Sequence, residues 1–171
     1  MDIYHFLASH TIPYKRVDHL AVYTCEQAEQ LVPPMPGAHT KNLLVRDKKG
    51  RRHFLVVIGY EKTVDLKALS LLLDVNGLSF ASPERLMKYL GIEPGSVSLL
   101  AIVNDTERAV EVILDEDLWQ ADVLKCHPLV NTSTLAIRRT DIEKILTITG
   151  HRWQVLSVLG TGSNTRESRP K

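Results

Sequence analysis

Three short segments of the chain place polar, chemically capable side chains next to apolar runs that are typical of buried strands. They are His39-Thr40-Lys41-Asn42, Pro94-Gly95-Ser96-Val97-Ser98 and Cys126-His127-Pro128-Leu129-Val130-Asn131-Thr132. In the first segment Lys41 enters an apolar strand, where an unpaired ammonium group is costly to bury. Lys41 is therefore either a group that binds substrate oxygen or a lysine whose charged end reaches solvent at the end of a strand.

The second and third segments each allow one chemical reading and one structural reading. Consecutive backbone N–H groups around Gly95 can converge on an anionic oxygen, although the same residues are typical of a tight turn. His127 precedes a proline, which holds its backbone extended. A lone histidine of this kind is more often structural than catalytic.

Known catalytic and metal-binding patterns are missing from the sequence. It contains no Gly-x-Gly-x-x-Gly, no P-loop, no His-Glu-x-x-His and no Gly-x-Ser-x-Gly. The histidines and acidic residues do not cluster at metal-ligand spacing, so neither a metal nor a cofactor is indicated. Cys25 and Cys126 are far apart, and two such thiols favour a reducing, cytoplasmic location over a disulfide scaffold.

Composition limits the class of protein. The 171 residues are 44% hydrophobic, and 21 basic against 20 acidic residues give a net charge of +1. A chain of this size can bury about 70% of its unfolded surface, enough for one core. Near-neutral charge argues against broad coating of nucleic acid but not against binding of one RNA end. No apolar run reaches the ~18 residues of a membrane span, and the first residues do not resemble a signal peptide.

The predicted elements alternate hairpins with isolated helices, which indicates a single-domain α+β fold with a mixed, mostly antiparallel sheet and surrounding helices. Helices are predicted at residues 3–9, after Thr24, after Asp65, after Ser82 and after Thr140. Strands are predicted at residues 12–17, 42–46, 53–58, 97–103, 109–114, 134–137 and 153–159. The folded domain is expected to span residues 1–160, with residues 161–171 as a loose tail.

Three sequence blocks, in order, resemble the YbaK/ProX family of aminoacyl-tRNA editing proteins. The first runs from Thr40-Lys41-Asn42 to Gly50 and continues at Phe54, the second is Gly95-Ser96-Val97-Ser98 with Val103-Asn104-Asp105, and the third is His127-Pro128-Leu129 with Asn131-Thr132. The resemblance covers about residues 12–159. One departure is Leu99, which stands where the family's glycine loop commonly has proline.

The resemblance implies a trans-editing deacylase that hydrolyses mischarged tRNA(Pro), with Ala-tRNA(Pro) as the expected substrate. A synthetase site built for proline cannot strongly reject a smaller apolar side chain, because each missing methylene lowers the binding free energy by only about 1–3 kcal/mol. A second, smaller pocket can admit alanine and exclude the proline ring. The partners implied are the acceptor end of tRNA and prolyl-tRNA synthetase, with no membrane.

The expected roles follow the three blocks. Backbone at Gly95 and Ser96 would stabilise the oxyanion, Lys41 would orient the terminal phosphate or the carbonyl, and Asn42 would bind substrate or hold Lys41. His127 would orient the tRNA end or shuttle a proton. The walls of the pocket are expected from Val22, Tyr23, Leu129, Val130 and Thr132.

A basic hairpin is the candidate RNA contact, and it is formed by Arg46, Lys48, Lys49, Arg51 and Arg52. The alternative for these residues is a solvated turn. Alternatives for the whole protein are a catalytically inactive RNA- or ligand-binding module, which Leu99 would favour, a deacylase for Cys-tRNA(Pro), and a hydrolase of other small acyl esters.

Overall fold

The centre of the protein is strand β3 (His53–Gly59), whose first six residues are all buried. In this computed structural model, which describes residues 2–160, Leu55 and Val57 belong to the larger core cluster. Phe54 and Val56 alternate with them and belong to a second cluster. Because successive side chains of a strand point to opposite faces, β3 has a packed layer on each side.

Within residues 2–160 the sheet has eight strands: β1 (Lys15–Asp18), β2 (Ala38–Asp47), β3, β4 (Leu78–Phe80), β5 (Val110–Asp115), β6 (Val123–Cys126), β7 (Ser133–Arg138) and β8 (Trp153–Leu156). Their order is β1-β7-β6-β2-β3-β5-β8, with β4 beside the last residues of β2. The β1–β7, β7–β6, β2–β3 and β2–β4 pairs are antiparallel, and the β6–β2, β3–β5 and β5–β8 pairs are parallel. The predicted mixed, mostly antiparallel sheet is confirmed.

The helices are α1 (Ile3–Ser9), α2 (Cys25–Leu31), α3 (Leu66–Leu73), α4 (Pro83–Leu90) and α5 (Arg139–Thr149). Three predicted caps are confirmed. The side chains of Thr24, Asp65 and Ser82 each accept a hydrogen bond from a backbone N–H in the first turn of α2, α3 and α4. Gly91 and Gly150 end α4 and α5 in the left-handed region, where glycine carries no Cβ penalty.

The predicted strand at residues 97–103 is wrong. Leu99–Asn104 forms a 3-10 helix that is buried at nearly every position, and a shorter 3-10 turn spans Pro94–Ser96. A continuous apolar run does not distinguish a buried strand from a buried helical segment. Ser98 favours the helical conformation here, because its side chain accepts a hydrogen bond from the N–H of Leu100 and caps the 3-10 helix.

Two further differences concern the start of α5 and two short strands. The predicted capping box at Thr140 is wrong, because α5 begins at Arg139 directly from β7 and its cap residue is Arg138. Strands β4 and β6 were not predicted, since each is only three or four residues long. The predicted tail at residues 161–171 lies outside the described residues.

No helix within residues 2–160 is long and apolar enough to cross a membrane.

Candidate active site

A cavity of about 370 Å³ opens where the first half of β2 meets β6, α2 and the 3-10 turn at Pro94–Ser96. Its size is at the low end of the ~300–1,000 Å³ range of small-molecule sites. Its apolar wall comes from Val22, Ala28, Val32, Pro94 and Val97. The other lining residues are Tyr23, Thr24, His39, Thr40, Lys41, Asn42, Tyr60, Gly95, Lys125, Cys126, His127 and Thr134.

The three sequence segments that were singled out therefore meet in one place. Strand β2 carries Lys41 and Asn42, the turn after α4 carries Gly95, and the loop after β6 carries His127. Lys41 is partly buried, and no described carboxylate lies within 4 Å of its ammonium group. Asn42 has a buried Oδ1 without a hydrogen-bond partner in the described part of the chain, and its Nδ2 donates to Thr40 Oγ1 at 3.5 Å. An unsatisfied buried acceptor of this kind can receive a donor from a ligand.

The tautomer of His127 follows from its surroundings. Its Nδ1 donates to the carbonyl oxygen of Ser133 at 3.1 Å, which leaves Nε2 as the acceptor of the neutral ring. Burial lowers the pKa of His127, and His19 lowers it further against the opposing effect of the Ser133 carbonyl. At neutral pH the ring is therefore an acceptor of protons rather than a cation.

Gly95 lies against the ring of Tyr23. A Cβ at position 95 would be 3.3 Å from two ring atoms of Tyr23, tighter than most contacts of real side chains. The turn is tied to the histidine loop as well, because Ser98 Oγ donates to the carbonyl oxygen of His127 at 2.6 Å. A glycine at this position allows the turn to approach the cavity rim closely.

Ser96 is placed differently from the expectation. It does not line the cavity, and its backbone N–H donates to the carbonyl oxygen of Glu93 at 2.9 Å within the 3-10 turn. That N–H is satisfied inside the protein and is not available to an oxyanion. Leu99 is 1% exposed, packs in the core and also lies outside the cavity lining, so the departure from the family's proline does not reach the pocket wall.

Of the five expected wall residues, the cavity includes Val22 and Tyr23 but not Leu129, Val130 or Thr132. The loop that carries the last three residues contributes indirectly, because it is hydrogen-bonded to the backbone of a residue that lines the cavity. Asn131 accepts from the N–H of Val22 through its carbonyl oxygen and donates from Nδ2 to the Val22 carbonyl, each at 3.2 Å.

The basic hairpin lies at the other end of β2. Five residues separate Lys41 from Arg46, or roughly 17 Å along an extended strand. Lys48, Lys49 and Arg51 are exposed. Arg52 forms a two-point ion pair with Glu111 at 3.0 and 3.1 Å, and the Arg46 guanidinium donates to the carbonyl oxygens of Asp47 and Lys48.

Sequence reasoning did not single out Lys125, which lies on β6 directly opposite His39 of β2. Lys125 is 8% exposed, and its Nζ lies 3.3 Å from His39 Nε2. The only signal in the sequence is a lysine within an apolar strand immediately before Cys126 and His127. The pairing with His39 spans 86 residues and depends on the sheet register.

Cys126 lines the cavity, but burial raises the pKa of its thiol to about 12. A thiol rather than a thiolate is present at neutral pH, and the thiol is a poor nucleophile. The hydroxyl of Thr40 donates to the Lys125 carbonyl oxygen, and that of Thr134 is bonded to His19 Nε2. Within residues 2–160 no three His, Cys, Asp or Glu side chains are grouped to hold a metal ion.

Known proteins that are similar to this chain in sequence or in fold include several whose names refer to prolyl-tRNA editing or to prolyl-tRNA synthetase. The chain is 36% identical over 147 residues to a prolyl-tRNA editing protein ProX from Acetoanaerobium sticklandii, covering 86% of this chain and 90% of that protein. It is 34% identical to prolyl-tRNA synthetase associated domain-containing protein 1 of Danio rerio, covering 91% and 85% of the two chains. A solved structure described as a candidate trans-editing enzyme for prolyl tRNA synthetase has the same fold, with a TM-score of 0.62 and 21% identity over 85% of this chain and 86% of that one.

The sequence profile of the aminoacyl-tRNA editing domain matches residues 19–145, a range that includes every residue lining the cavity. The chain therefore belongs to the aminoacyl-tRNA editing domain family.

Proposed function

We propose that this protein is a trans-editing aminoacyl-tRNA deacylase that hydrolyses mischarged tRNA(Pro), with Ala-tRNA(Pro) as its substrate. The observation that carries the proposal is the meeting of Lys41, Asn42 and His127 in a small, half-apolar cavity whose described lining holds no activated nucleophile. The family membership and the names of the relatives support the same class of substrate.

The reaction is the addition of water to an ester carbonyl that is already activated. Water adds to the carbonyl carbon, negative charge develops on the carbonyl oxygen, and the intermediate expels the ribose oxygen, which takes up a proton. The products are the free amino acid and uncharged tRNA. An enzyme that positions water and stabilises the oxyanion can accelerate this reaction without a covalent intermediate.

The proposed roles follow from the donors and acceptors available. Lys41, whose ammonium has no described carboxylate partner, donates to the carbonyl oxygen as negative charge develops there. His127 Nε2, the acceptor of a neutral ring, receives a ribose hydroxyl proton or a proton of the water. Asn42 Oδ1 accepts from the α-amino group of the amino acid. Of the two backbone donors expected in the turn, only the N–H of Gly95 is proposed to bind the oxyanion, because the N–H of Ser96 donates to Glu93.

Selection by size would come from the apolar wall. In this proposal the side chains of Val22, Ala28, Val32 and Val97 form the part of the wall that receives a methyl side chain and excludes a five-membered ring. A small pocket excludes a larger side chain sterically, and this discriminates far better than the weak preference of a large pocket for the larger side chain. A second, smaller editing pocket can therefore correct the errors of the synthetase site.

A panel of charged tRNAs tests the proposal. Wild-type protein is incubated with Ala-tRNA(Pro), Cys-tRNA(Pro) and alanine ethyl ester, and release of free amino acid is measured. We expect the fastest release from Ala-tRNA(Pro). Faster release from Cys-tRNA(Pro) would change the substrate, hydrolysis of the simple ester alone would remove RNA from the function, and binding without release would indicate an inactive module.

A further inference from the structure

Among the described residues that line the cavity, two are lysines and none is an aspartate or glutamate. The lysines are Lys41 and Lys125, and the ammonium of Lys125 lies beside His39, another lining residue. No described carboxylate lies within 4 Å of either ammonium nitrogen. Glu29 and Glu61 act electrostatically on His39 but lie outside the lining, and Glu29 accepts a hydrogen bond from the Tyr60 hydroxyl. The cavity therefore favours a ligand that brings negative charge.

Lys125 is held rigidly in this cavity. Its backbone pairs with His39 across β6 and β2, and its carbonyl oxygen accepts from Thr40 Oγ1 at 2.6 Å. Its ammonium lies 3.3 Å from His39 Nε2, so the lysine donates one proton to a neutral imidazole and keeps two N–H donors for a ligand. Burial lowers the pKa of Lys125, and burial together with the Lys125 charge lowers the pKa of His39.

The chemistry of the substrate decides what Lys125 binds. In an aminoacyl-tRNA end the α-amino group carries positive charge, and the ester and the ribose are neutral. The phosphate groups are the anionic part, and the first of them is attached to the 5′ oxygen of the terminal nucleoside. A lysine ammonium binds phosphate as a point charge with charge-assisted hydrogen bonds.

Resting on the proposed function, we propose that Lys125 binds the phosphate on the 5′ side of the terminal adenosine and thereby anchors the single-stranded tRNA end in the cavity. The two lysines then divide the work: Lys125 contributes to substrate affinity, whereas Lys41 acts on the carbonyl oxygen. Because the anchor acts equally in the ground state and the transition state, its loss raises KM and leaves kcat nearly unchanged.

Two small substrates that differ by a single phosphate test this division. They are 2′(3′)-O-alanyl-adenosine and the same ester of adenosine 5′-phosphate. We expect the wild-type KM to be roughly tenfold lower, or more, for the phosphorylated ester, as a charge-assisted hydrogen bond allows. Lys125→Met should abolish that difference, and Lys125→Arg should retain most of it. Lys144→Met, on the exposed face of α5, is the matched control and should behave like wild type.

A direct binding measurement separates this inference from the proposed function. Calorimetric titration with 5′-AMP and with adenosine gives the ratio of the two affinities without any turnover. We expect 5′-AMP to bind wild-type protein roughly tenfold more tightly than adenosine, and the ratio to approach one in Lys125→Met. Hydrolysis of neither ester by wild type would overturn the proposed function alone, and the binding ratio would still decide the role of Lys125.

The inference is overturned if the phosphate dependence of KM and of binding is the same in Lys125→Met and wild type. It is also overturned if the variant weakens both esters equally, because that result would assign Lys125 to the acyl or ribose part. Urea denaturation monitors the fold, and Lys125→Met should be at least as stable as wild type, because a buried unpaired charge is removed. Lys125→Gln serves as the second variant if the methionine variant fails to fold.

Discussion

Lys41 is the residue on which the proposed chemistry depends most directly. The residue lines the cavity together with Gly95 and His127, and its ammonium has no described carboxylate partner within 4 Å. Lys41 is partly buried and belongs to the cavity lining. The proposed oxyanion role requires that its ammonium reach into the cavity, whereas the alternative considered from the sequence places that group in solvent at the end of a strand.

Lys41→Met should reduce kcat for Ala-tRNA(Pro) deacylation by about 10²–10³-fold, the usual loss on removing one oxyanion donor. The free energy of unfolding should change little, because the ammonium has no described salt bridge to lose. Single-turnover release of alanine and urea denaturation measure the two effects, with Lys144→Met as the control. Equal rates for Lys41→Met and wild type would remove this residue from the mechanism.

His127 makes a separate prediction about pH. Because burial lowers its pKa in the folded state, the unfolded chain binds a proton near pH 6.5 that the folded chain does not. Stability should therefore fall as the pH drops below about 6.5, with at most about 1.4 kcal/mol per pH unit from each such histidine. His39 and His53, whose pKa values burial also lowers, contribute in the same direction.

Replacing His127 with glutamine should remove its share of this acid sensitivity. Urea denaturation at pH 7.5 and pH 5.5 gives the loss of unfolding free energy on acidification for wild type and His127→Gln. The exposed His5→Gln is the matched control and should retain the wild-type loss. An identical loss for all three proteins would show that His127 is not held neutral by the fold.

The lining of the cavity was predicted only where the signal was local in sequence, and the chemical roles of these residues stay predictions. Lys41, Asn42, Gly95 and His127 each lie in a short segment with an unusual neighbour, and all four line the cavity. The oxyanion role of Ser96 did not survive, because a backbone N–H that is free in a generic turn is used internally by a 3-10 turn. Lys125 was missed because its importance arises from a register pairing with a distant strand.

At the scale of elements, the site depends on one hydroxyl that joins two of them. Ser98 is fully buried, its Oγ accepts from the N–H of Leu100, and it donates to the carbonyl oxygen of His127. It thereby connects the 3-10 helix at Leu99–Asn104 to the loop after β6. The relative position of Gly95 and His127 follows from this connection.

Ser98→Ala should lower the free energy of unfolding by about 2 kcal/mol, because it leaves a carbonyl oxygen and an N–H without their partner. Ser9→Ala provides the comparison, since Ser9 Oγ donates to a carbonyl on an exposed helix and its loss should cost about 0.5 kcal/mol or less. Urea denaturation measures both. Equal small losses for the two variants would contradict the connecting role of Ser98.

Helices that begin at a capping side chain were predicted from the sequence. Elements whose conformation depends on contacts with distant parts of the chain were not. Thr24, Asp65 and Ser82 marked helix starts because a side-chain cap is a local feature. The run at residues 97–103 was apolar at nearly every position, and such a pattern has no period that could separate a strand from a 3-10 helix. Short strands such as β4 carry too few residues to show alternation.

At the scale of the whole molecule, β2 connects the cavity to the basic hairpin. Residues 39–42 line the cavity, whereas Lys48 and Lys49 lie past the far end of the strand. A nucleic acid whose terminal nucleotide enters the cavity would have to extend along the length of β2 to reach this hairpin. Arg52 is the least available of the five basic residues, because Glu111 already neutralises its charge.

The double variant Lys48→Gln/Lys49→Gln should weaken tRNA binding and reduce its salt dependence. Each lost phosphate contact should lower the slope of log affinity against log salt concentration by about 0.7–0.9. Binding is measured between 50 and 200 mM salt, a range in which this effect is large. Lys67→Gln/Lys144→Gln, which removes two exposed lysines on helices α3 and α5, is the control. Identical slopes for the two double variants would confine RNA recognition to the cavity.

The proposed function requires that this cavity remove a small amino acid from proline tRNA and spare the correct one. The most direct measurement is the rate of amino acid release from Ala-tRNA(Pro) and from Pro-tRNA(Pro) by the wild-type protein under identical conditions. We predict release of alanine more than roughly 200-fold faster than release of proline, because steric exclusion exceeds the discrimination that a one-methylene preference gives. Equal rates for the two substrates, or no release of alanine above the rate in buffer, would contradict the account.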